Sequence, residues 1–207
     1  MKRSRPEIDL LAARVNELRA GLQALIPEGV AEKSGTEYLH DKDEIHLPLW
    51  DLPLRISLKG YVVRNKDGEE LPSFMQTLVL YYLSMADGSS PSGNWISFAE
   101  LPEGRMYDRA FQGYTGDELV KKFGLNVDAY QIACKAAGGA YNEIGGVAYK
   151  FWAFPRVPIV VNYWVGDDDF PSSCKLLFDD SVSHYLPTDA CAILGSNLTR
   201  RLVKSDK

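Results

Sequence analysis

Apolar positions set the first divisions of the chain. Ile8, Leu11, Val15, Leu18, Leu22 and Leu25 recur at alternating steps of three and four, which places them on one face of a helix, so a helix is predicted over 6–25. Pro6 suits its first turn and Pro27 marks its end. Leu10, Ala13 and Ala24 widen the stripe beyond a coiled-coil seam, which favours packing on the chain's own domain. From residue 44 to 64 the period drops to two. Ile45, Leu47 and Leu49 alternate with polar or proline positions, as do Leu54, Ile56 and Leu58 with Arg55, Ser57 and Lys59. These are strands with one buried face. Asn65, Lys66, Asp67 and Gly68 supply a reversal.

Helical spacing returns after Pro72 through Phe74, Leu78, Tyr81, Tyr82 and Met85. It stops before the Gly/Ser stretch 87–93, which reads as a loop tip or a mobile lid. Trp95 to Leu101 reads as a short strand, followed by helical turns over 106–114. Thr115 is the predicted cap of a helix ending at Gly124, and a further helix is predicted over 127–137, stopping at Gly138 and Gly139. The last third holds the most regular pattern. Runs 147–154, 158–165 and 174–178 are β-rich with short links, which predicts an antiparallel meander over 147–178. Both parities of the first two runs carry large apolar residues, so that sheet is expected to be covered on both faces. Ser181 to Tyr185 suits a helical turn, and Thr188 a cap for a final helix over 188–204. The pattern as a whole is α+β, a mainly antiparallel sheet flanked by helices, expected as one domain over 1–207.

Composition narrows the class of function. With 207 residues, 45% of them apolar, the chain can build a core without disulfide or metal staples. Its net charge of −5 argues against a general nucleic-acid binder. Basic residues gather at the ends, in Lys2, Arg3 and Arg5 and again in Arg200, Arg201, Lys204 and Lys207, where they read as solvated termini. No apolar run is long enough for a membrane span. Glu7 and Asp9 stand where a signal peptide would carry its apolar stretch, so the expected location is the cytoplasm. Cys134, Cys174 and Cys191 match no zinc or iron-sulfur spacing, and their odd number suits a reducing compartment.

Three features carry candidate chemistry. Asp167, Asp168 and Asp169 stand together in a loop, where mutual repulsion would be relieved by a hard cation, with Asp167 and Asp169 as oxygen ligands. The alternative is a solvated acidic loop. His40, Glu44 and His46 fall at even spacing and would share one side of an extended segment, a weak candidate for zinc or iron against the alternative of an exposed polar strand. The 11% of aromatic residues, Trp50, Trp95, Trp152 and Trp164 among them, could line an apolar pocket, with Arg156 between two prolines as a carboxylate grip. Core packing accounts for most of these rings. No nucleophile elbow, phosphate loop or dinucleotide fingerprint is present, and Ser181, Asp180 and His184 do not make a triad by closeness in sequence alone.

Several strings together resemble an uncharacterised family of anaerobic bacteria and archaea, a domain of unknown function. They are Trp95 to Pro102 with Gly104 and Tyr107, Phe154 to Pro158, and Gly166 to Pro171 followed by Leu177, Phe178 and Asp179. The resemblance covers nearly the whole chain. It implies a link to anaerobic one-carbon or corrinoid metabolism, and some relatives carry an added cysteine-rich iron-sulfur module. This chain lacks both that cysteine cluster and the Asp-x-His-x-x-Gly pattern of corrinoid-binding domains.

Three functions are therefore expected in competition, with the cofactor and the oligomeric state left open. The first is an accessory module that binds a small molecule or partner protein through a pocket of Trp95, Glu100, Tyr107, Arg156, Asp167, Asp168, Asp169 and Phe170. The second is a metal-assisted hydrolase or lyase using the Asp167–Asp169 loop or His40, Glu44 and His46. The third is an interaction protein that docks through an exposed Leu11, Leu18 and Leu22 face of helix 6–25.

Overall fold

The structure is a computed structural model that describes residues 5–204, with side chains from residue 10. The chain divides into two compact units. Unit 1 runs to Ser90 and also takes in Phe154–Arg156 and His184–Leu186; unit 2 holds Pro91–Ala153, Val157–Ser183 and the residues from Pro187 on. Both are α+β with antiparallel sheets. No described helix is long and apolar enough to cross a membrane.

Unit 1 begins with α1 (Arg5–Gln23), the predicted first helix. Val15, Leu18 and Leu22 are buried, and the helix packs on α3 (Ser73–Met85). Its apolar stripe is therefore used within the unit, and the expected docking face is corrected: Leu18 and Leu22 are unavailable to a partner. Ile8 lies outside the described side chains. Leu10, Ala13 and Ala24 do not widen the stripe, because all three are exposed. Pro27 opens a second helix that periodicity missed, α2 (Pro27–Ser34), where proline fits the first turn; Gly35, at φ 65°, closes it with N–H bonds back to Ala31 and Glu32.

Four strands follow in the spatial order β1 (Glu37–Leu39), β2 (Glu44–Leu49), β3 (Leu52–Ser57) and β4 (Val62–Arg64). Ile45, Leu47, Leu49, Leu54 and Ile56 face inward, as their alternation requires. β2 and β3 pair from Glu44↔Ser57 to Leu49↔Leu52 around a two-residue turn, Trp50-Asp51. Such a turn makes Leu49↔Leu52 a hydrogen-bonded pair. The next pair, Pro48↔Pro53, is then non-bonded, with the ring nitrogens pointing sideways out of the ribbon. β1 pairs with β2 only as far as His46, and β4 pairs with β3 only as far as Arg55. The Leu47–Leu54 end of the hairpin therefore extends beyond both neighbours.

An aromatic stack completes unit 1. Tyr82 lies flat on Phe154 at 4.3 Å and 8°, with Tyr185 at 5.6 Å on its other side. The Tyr82 hydroxyl donates to the Ser34 carbonyl and accepts from the Arg156 N–H at 3.2 Å. Tyr185 donates to the Ser89 carbonyl.

Unit 2 is built on five strands in the order β5-β9-β8-β7-β6. They are β5 (Trp95–Ser97), β6 (Ala140–Asn142), β7 (Val147–Phe154), β8 (Val157–Trp164) and β9 (Ser173–Asp179). The meander of β7, β8 and β9 matches the prediction. One face is covered by α4 (Gly104–Tyr114), α5 (Gly116–Phe123), α6 (Val127–Ala136) and α7 (Thr188–Lys204). Tyr130 of α6 meets Tyr149 and Tyr163, Phe111 of α4 meets Phe178, and Gly195 of α7 lies against Phe111 and Leu176. Full coverage of both faces does not hold, since Trp152 and Trp164 on the other face are 46% and 38% exposed. Capping differs too. Thr115 donates to the Phe111 carbonyl and Thr188 to the Pro102 carbonyl, while Asn126 caps α6 by accepting from Ala129 N–H at 3.0 Å.

Candidate functional site

Outward-facing residues of the four-stranded sheet form a charged row. Across the strands, Glu37 stands opposite His46, His46 opposite Arg55, and Arg55 opposite Arg64. His46↔Arg55 is a non-bonded pair by the same alternation as the prolines, which brings the imidazole and guanidinium stems close together. Two positions back on β2, Glu44 shares the His46 face, and its Oε2 lies 2.9 Å from His46 Nε2. Both side chains are partly buried, at 29% and 27% exposure for His46 and Glu44. A carboxylate at that distance fixes the ring's rotation and tautomer.

His46 and Arg55 open onto a cleft of 530 Å³ in unit 1. Its apolar lining comes from Leu47, Pro48, Pro53 and Leu54 of the overhanging hairpin. Gly35 and Thr36 contribute from the end of α2, and Lys66 from the turn after β4. Arg55 Nη2 donates to the Lys66 carbonyl at 2.8 Å, tying that turn to the strand and fixing the guanidinium. Glu37 and Asp51 add two carboxylates. Trp50 takes φ 57° at the first turn position, a conformation that usually selects glycine and costs a bulky residue about 1–2 kcal/mol. A strained residue beside a cleft marks a place where packing has been subordinated to shape.

The remaining predicted residues fall elsewhere. His40 is on the turn after β1, with Nδ1 3.7 Å from Glu28 Oε1 and its ring 4.2 Å from that of Tyr38. Among the described residues no group of three or more His, Cys, Asp or Glu is arranged to hold a metal ion. The metal expectation for His40, Glu44 and His46 therefore reduces to the Glu44–His46 pair. Asp167 and Asp169 do not form a carboxylate cage either. Asp167 Oδ1 accepts from the N–H groups of Asp169 at 3.0 Å and Phe170 at 2.8 Å, and its own N–H donates to the Phe170 carbonyl. The acid is there to close a turn. Ser172 ties the base of that loop by accepting from Gly166 N–H and donating to the Gly124 carbonyl. Asp168, Asp169 and Phe170 are exposed.

The expected aromatic pocket is not assembled in unit 2. Trp95 pairs with Asp179 at the end of β9, whereas the 166–171 loop enters at Ser173, about 20 Å away along the strand. Glu100 is used in a capping box, accepting from both N–H and Oγ of Ser97 at 2.7 Å; these bonds hold its carboxyl below the usual range. Tyr107 stands exposed on α4. Arg156, in unit 1, lies against Gly35 and reaches the Glu32 carbonyl at 3.5 Å, so it serves the carbonyl end of α2.

Two further acids, Asp179 and Asp180, have a structural use. Asp179 is fully buried and accepts from the N–H groups of Ser92, Gly93 and Ser181 and from Ser181 Oγ. Asp180 accepts from Ser92 Oγ and Asn94 Nδ2. The 91–94 segment is thus fastened in unit 2, against the expectation of a mobile lid. In unit 1, Asp87 lies 2.6 Å from His184 Nδ1, with Ser89 Oγ 3.4 Å from the same nitrogen. A catalytic triad needs its serine and acid on opposite ring nitrogens, so this cluster is not one.

The cysteines do not fit an iron-sulfur cluster. All three are buried, on α6, β9 and α7, and four thiolates are the usual set. Burial pushes the Cys134 thiol up to about 12 and raises Cys174 and Cys191 as well, so all three stay protonated.

Comparison with known proteins adds a distant likeness and a family. The chain is 28% identical over 158 aligned positions to fumarate hydratase 2 of Leishmania major; the match covers 64% of this chain and 28% of that protein. No solved structure matches. A family model described as a domain of unknown function, DUF3786, matches residues 27–201, which include the whole of the cleft and both sheets, and the chain belongs to that family.

Proposed function

We propose that this chain is a binding domain for a small organic acid, taken up in the unit 1 cleft. The observation that carries the reading is a histidine fixed by Glu44 beside Arg55, both facing one cleft of a size that suits a small molecule. Arg55 uses Nη2 on Lys66 and keeps its other N–H groups for a planar carboxylate, and the Lys66 ammonium adds a second cation. The two proline rings, on the same face of the hairpin as His46 and Arg55, supply an apolar wall beside the pair. Glu37 and Asp51 would turn away a ligand carrying acid groups at every position, so the fit is to a compact acid with an apolar or donor-bearing remainder. Anaerobic one-carbon or corrinoid metabolism, implied by the family resemblance, indicates the cells in which to look for the native ligand.

A second reading is favoured by the 2.9 Å contact between Glu44 and His46. A ring held in one tautomer is equipped to take or give a proton, and the relative named above is called a hydratase of a dicarboxylate. His46 would then act as a general base, with Glu44 orienting it.

Calorimetric titration of the full chain with fumarate, succinate and acetate tests the first reading. The expected result is saturable binding that Arg55→Gln weakens about tenfold. Binding unchanged in Arg55→Gln, or no heat with any of the three acids, would sink it. The second reading requires loss of fumarate absorbance on incubation with the protein, abolished in His46→Gln. Binding without turnover leaves the first reading standing alone.

A further inference from the structure

A second cleft, of 280 Å³, lies in unit 2, and two cations, Arg200 and Lys204, are among its lining residues. Its floor is the last two turns of α7. Ser196, Arg200 and Lys204 are spaced by four residues and form one stripe, with Thr199 and Val203 beside it. The opposing side brings Tyr114 from the end of α4 and Glu118 from α5.

Several observations make this more than a solvated helix end. Arg200 and Lys204 face the cleft with no carboxylate in ion-pair range among the described residues, whereas Glu118, the one acid in the lining, lies 3.8 Å from Lys121. The lining therefore carries two positive groups and one negative group that already has a neighbour, in a chain whose net charge is −5. Ser196 and Tyr114 add hydroxyl donors. Burial raises the Tyr114 phenol, which keeps it protonated and able to donate. Thr199 spends its proton on the Gly195 carbonyl and offers only lone pairs.

The cleft also depends on a close approach of two helices. A side chain at Gly195 would put its Cβ 2.5 Å from Phe111 Cε2. Phe111 holds Tyr114 edge-on at 5.7 Å. Glycine at 195 is what lets α7 lie near enough to α4 for the Tyr114 ring to face the Arg200 stripe.

From this arrangement we infer that the α4/α5/α7 cleft is a binding site for a phosphate dianion, either inorganic phosphate or the phosphate of a small monoester. Two cations about one helical turn apart match the two charges of such a group, and the hydroxyls of Ser196 and Tyr114 can donate to its remaining oxygens. A single carboxylate would leave one cation unmatched. The small volume excludes a nucleotide-sized ligand and admits phosphate with a few attached carbons.

The test is an amide-resolved NMR titration of the full chain with inorganic phosphate and, separately, glycerol phosphate, at constant ionic strength. Saturable shifts confined to 114–118 and 196–204 are expected. Arg200→Gln with Lys204→Gln should weaken them about tenfold or more, while Lys42→Gln, a solvent-exposed control in unit 1, leaves them unchanged. Tighter binding of the monoester would identify an organic phosphate as the ligand; equal binding would identify the free ion. Absence of saturation up to about 10 mM, where an affinity would be too weak to matter in a cell, or shifts that persist in the double variant, would overturn the assignment. Both glutamines are on exposed or half-exposed helix positions, so the variant keeps its fold, and an unchanged spectrum outside the cleft checks this.

Discussion

Replacing Asp179 by asparagine tests whether the 91–94 segment is fastened as described. The carboxylate is fully buried, and its two oxygens accept four bonds: Ser92 N–H at 3.1 Å, Ser181 N–H at 3.1 Å and Ser181 Oγ at 2.6 Å on Oδ1, and Gly93 N–H at 2.7 Å on Oδ2. Asparagine keeps one acceptor and puts an NH₂ group where the other stood. With the oxygen retained at Oδ1, the new donor faces Gly93 N–H, and one buried bond becomes a donor-donor contact. A bond to a charged acceptor contributes about 1.5–3 kcal/mol, and a buried donor left without a partner costs about 1–3 kcal/mol. These terms overlap, so a loss of about 3 kcal/mol is expected for Asp179→Asn, or about 6–12 °C in Tm for a chain of this size. Asp180→Asn is the matched control. Its bonds to Ser92 Oγ and Asn94 Nδ2 are exposed, so its loss stays under about 1 kcal/mol. Urea unfolding of both variants measures the difference. Hydrogen exchange should show Ser92, Gly93 and Ser181 amides losing protection in Asp179→Asn only. Equal stability of the two variants, or unchanged exchange at those amides, would refute the reasoning.

Other outcomes follow from single groups. Tyr82→Phe removes a hydroxyl that satisfies both the Ser34 carbonyl and the Arg156 N–H; it should destabilise by about 1–3 kcal/mol in a denaturant titration, with the aromatic stack retained. All three thiols are buried and kept protonated, so none should react with an aromatic disulfide reagent at pH 8 until denaturant unfolds the protein. Asp87 is held down to about 2 by the Ser89 N–H, the Ser89 hydroxyl and His184, against an ordinary value of 3.8. A depressed folded pKa adds stability that is complete above about pH 4 and is lost as pH falls through about 2. A carboxyl NMR titration should therefore place the Asp87 midpoint well below those of exposed aspartates, and His184→Ala should move it back up.

Much of the fold was legible because burial follows period. The helix 6–25, the alternation of Ile45, Leu47 and Leu49, and the meander from Val147 to Phe178 all carry repeats that only one face of one element explains. Short elements escaped for the same reason. β1 and β6 have three residues each, too few to show a period, and α2 contains only two apolar buried residues, Val30 and Ala31. The candidate site was half legible. His46 and Glu44 stood out as side chains, but Arg55 joins them only through pairing register, and register depends on the Trp50-Asp51 turn. That turn lacks the glycine or asparagine that announces a tight hairpin, because Trp50 occupies the positive-φ position itself. The Asp167–Asp169 run escaped for the opposite reason. Its composition suggests ligands, yet Asp167 directs its Oδ1 at neighbouring N–H groups, a use that depends on backbone path and leaves no mark on spacing.

The facing prolines of the long hairpin bear on how this protein survives at high concentration. A ribbon that outruns its neighbouring strands has two raw sides, and each is a template on which a strand from another molecule could add. At Pro48 and Pro53 the sideways-pointing nitrogens carry no hydrogen. An incoming strand would find the donor missing on either flank of the same rung. The hairpin that walls the cleft can therefore stand clear of its sheet without becoming a nucleus for fibrils.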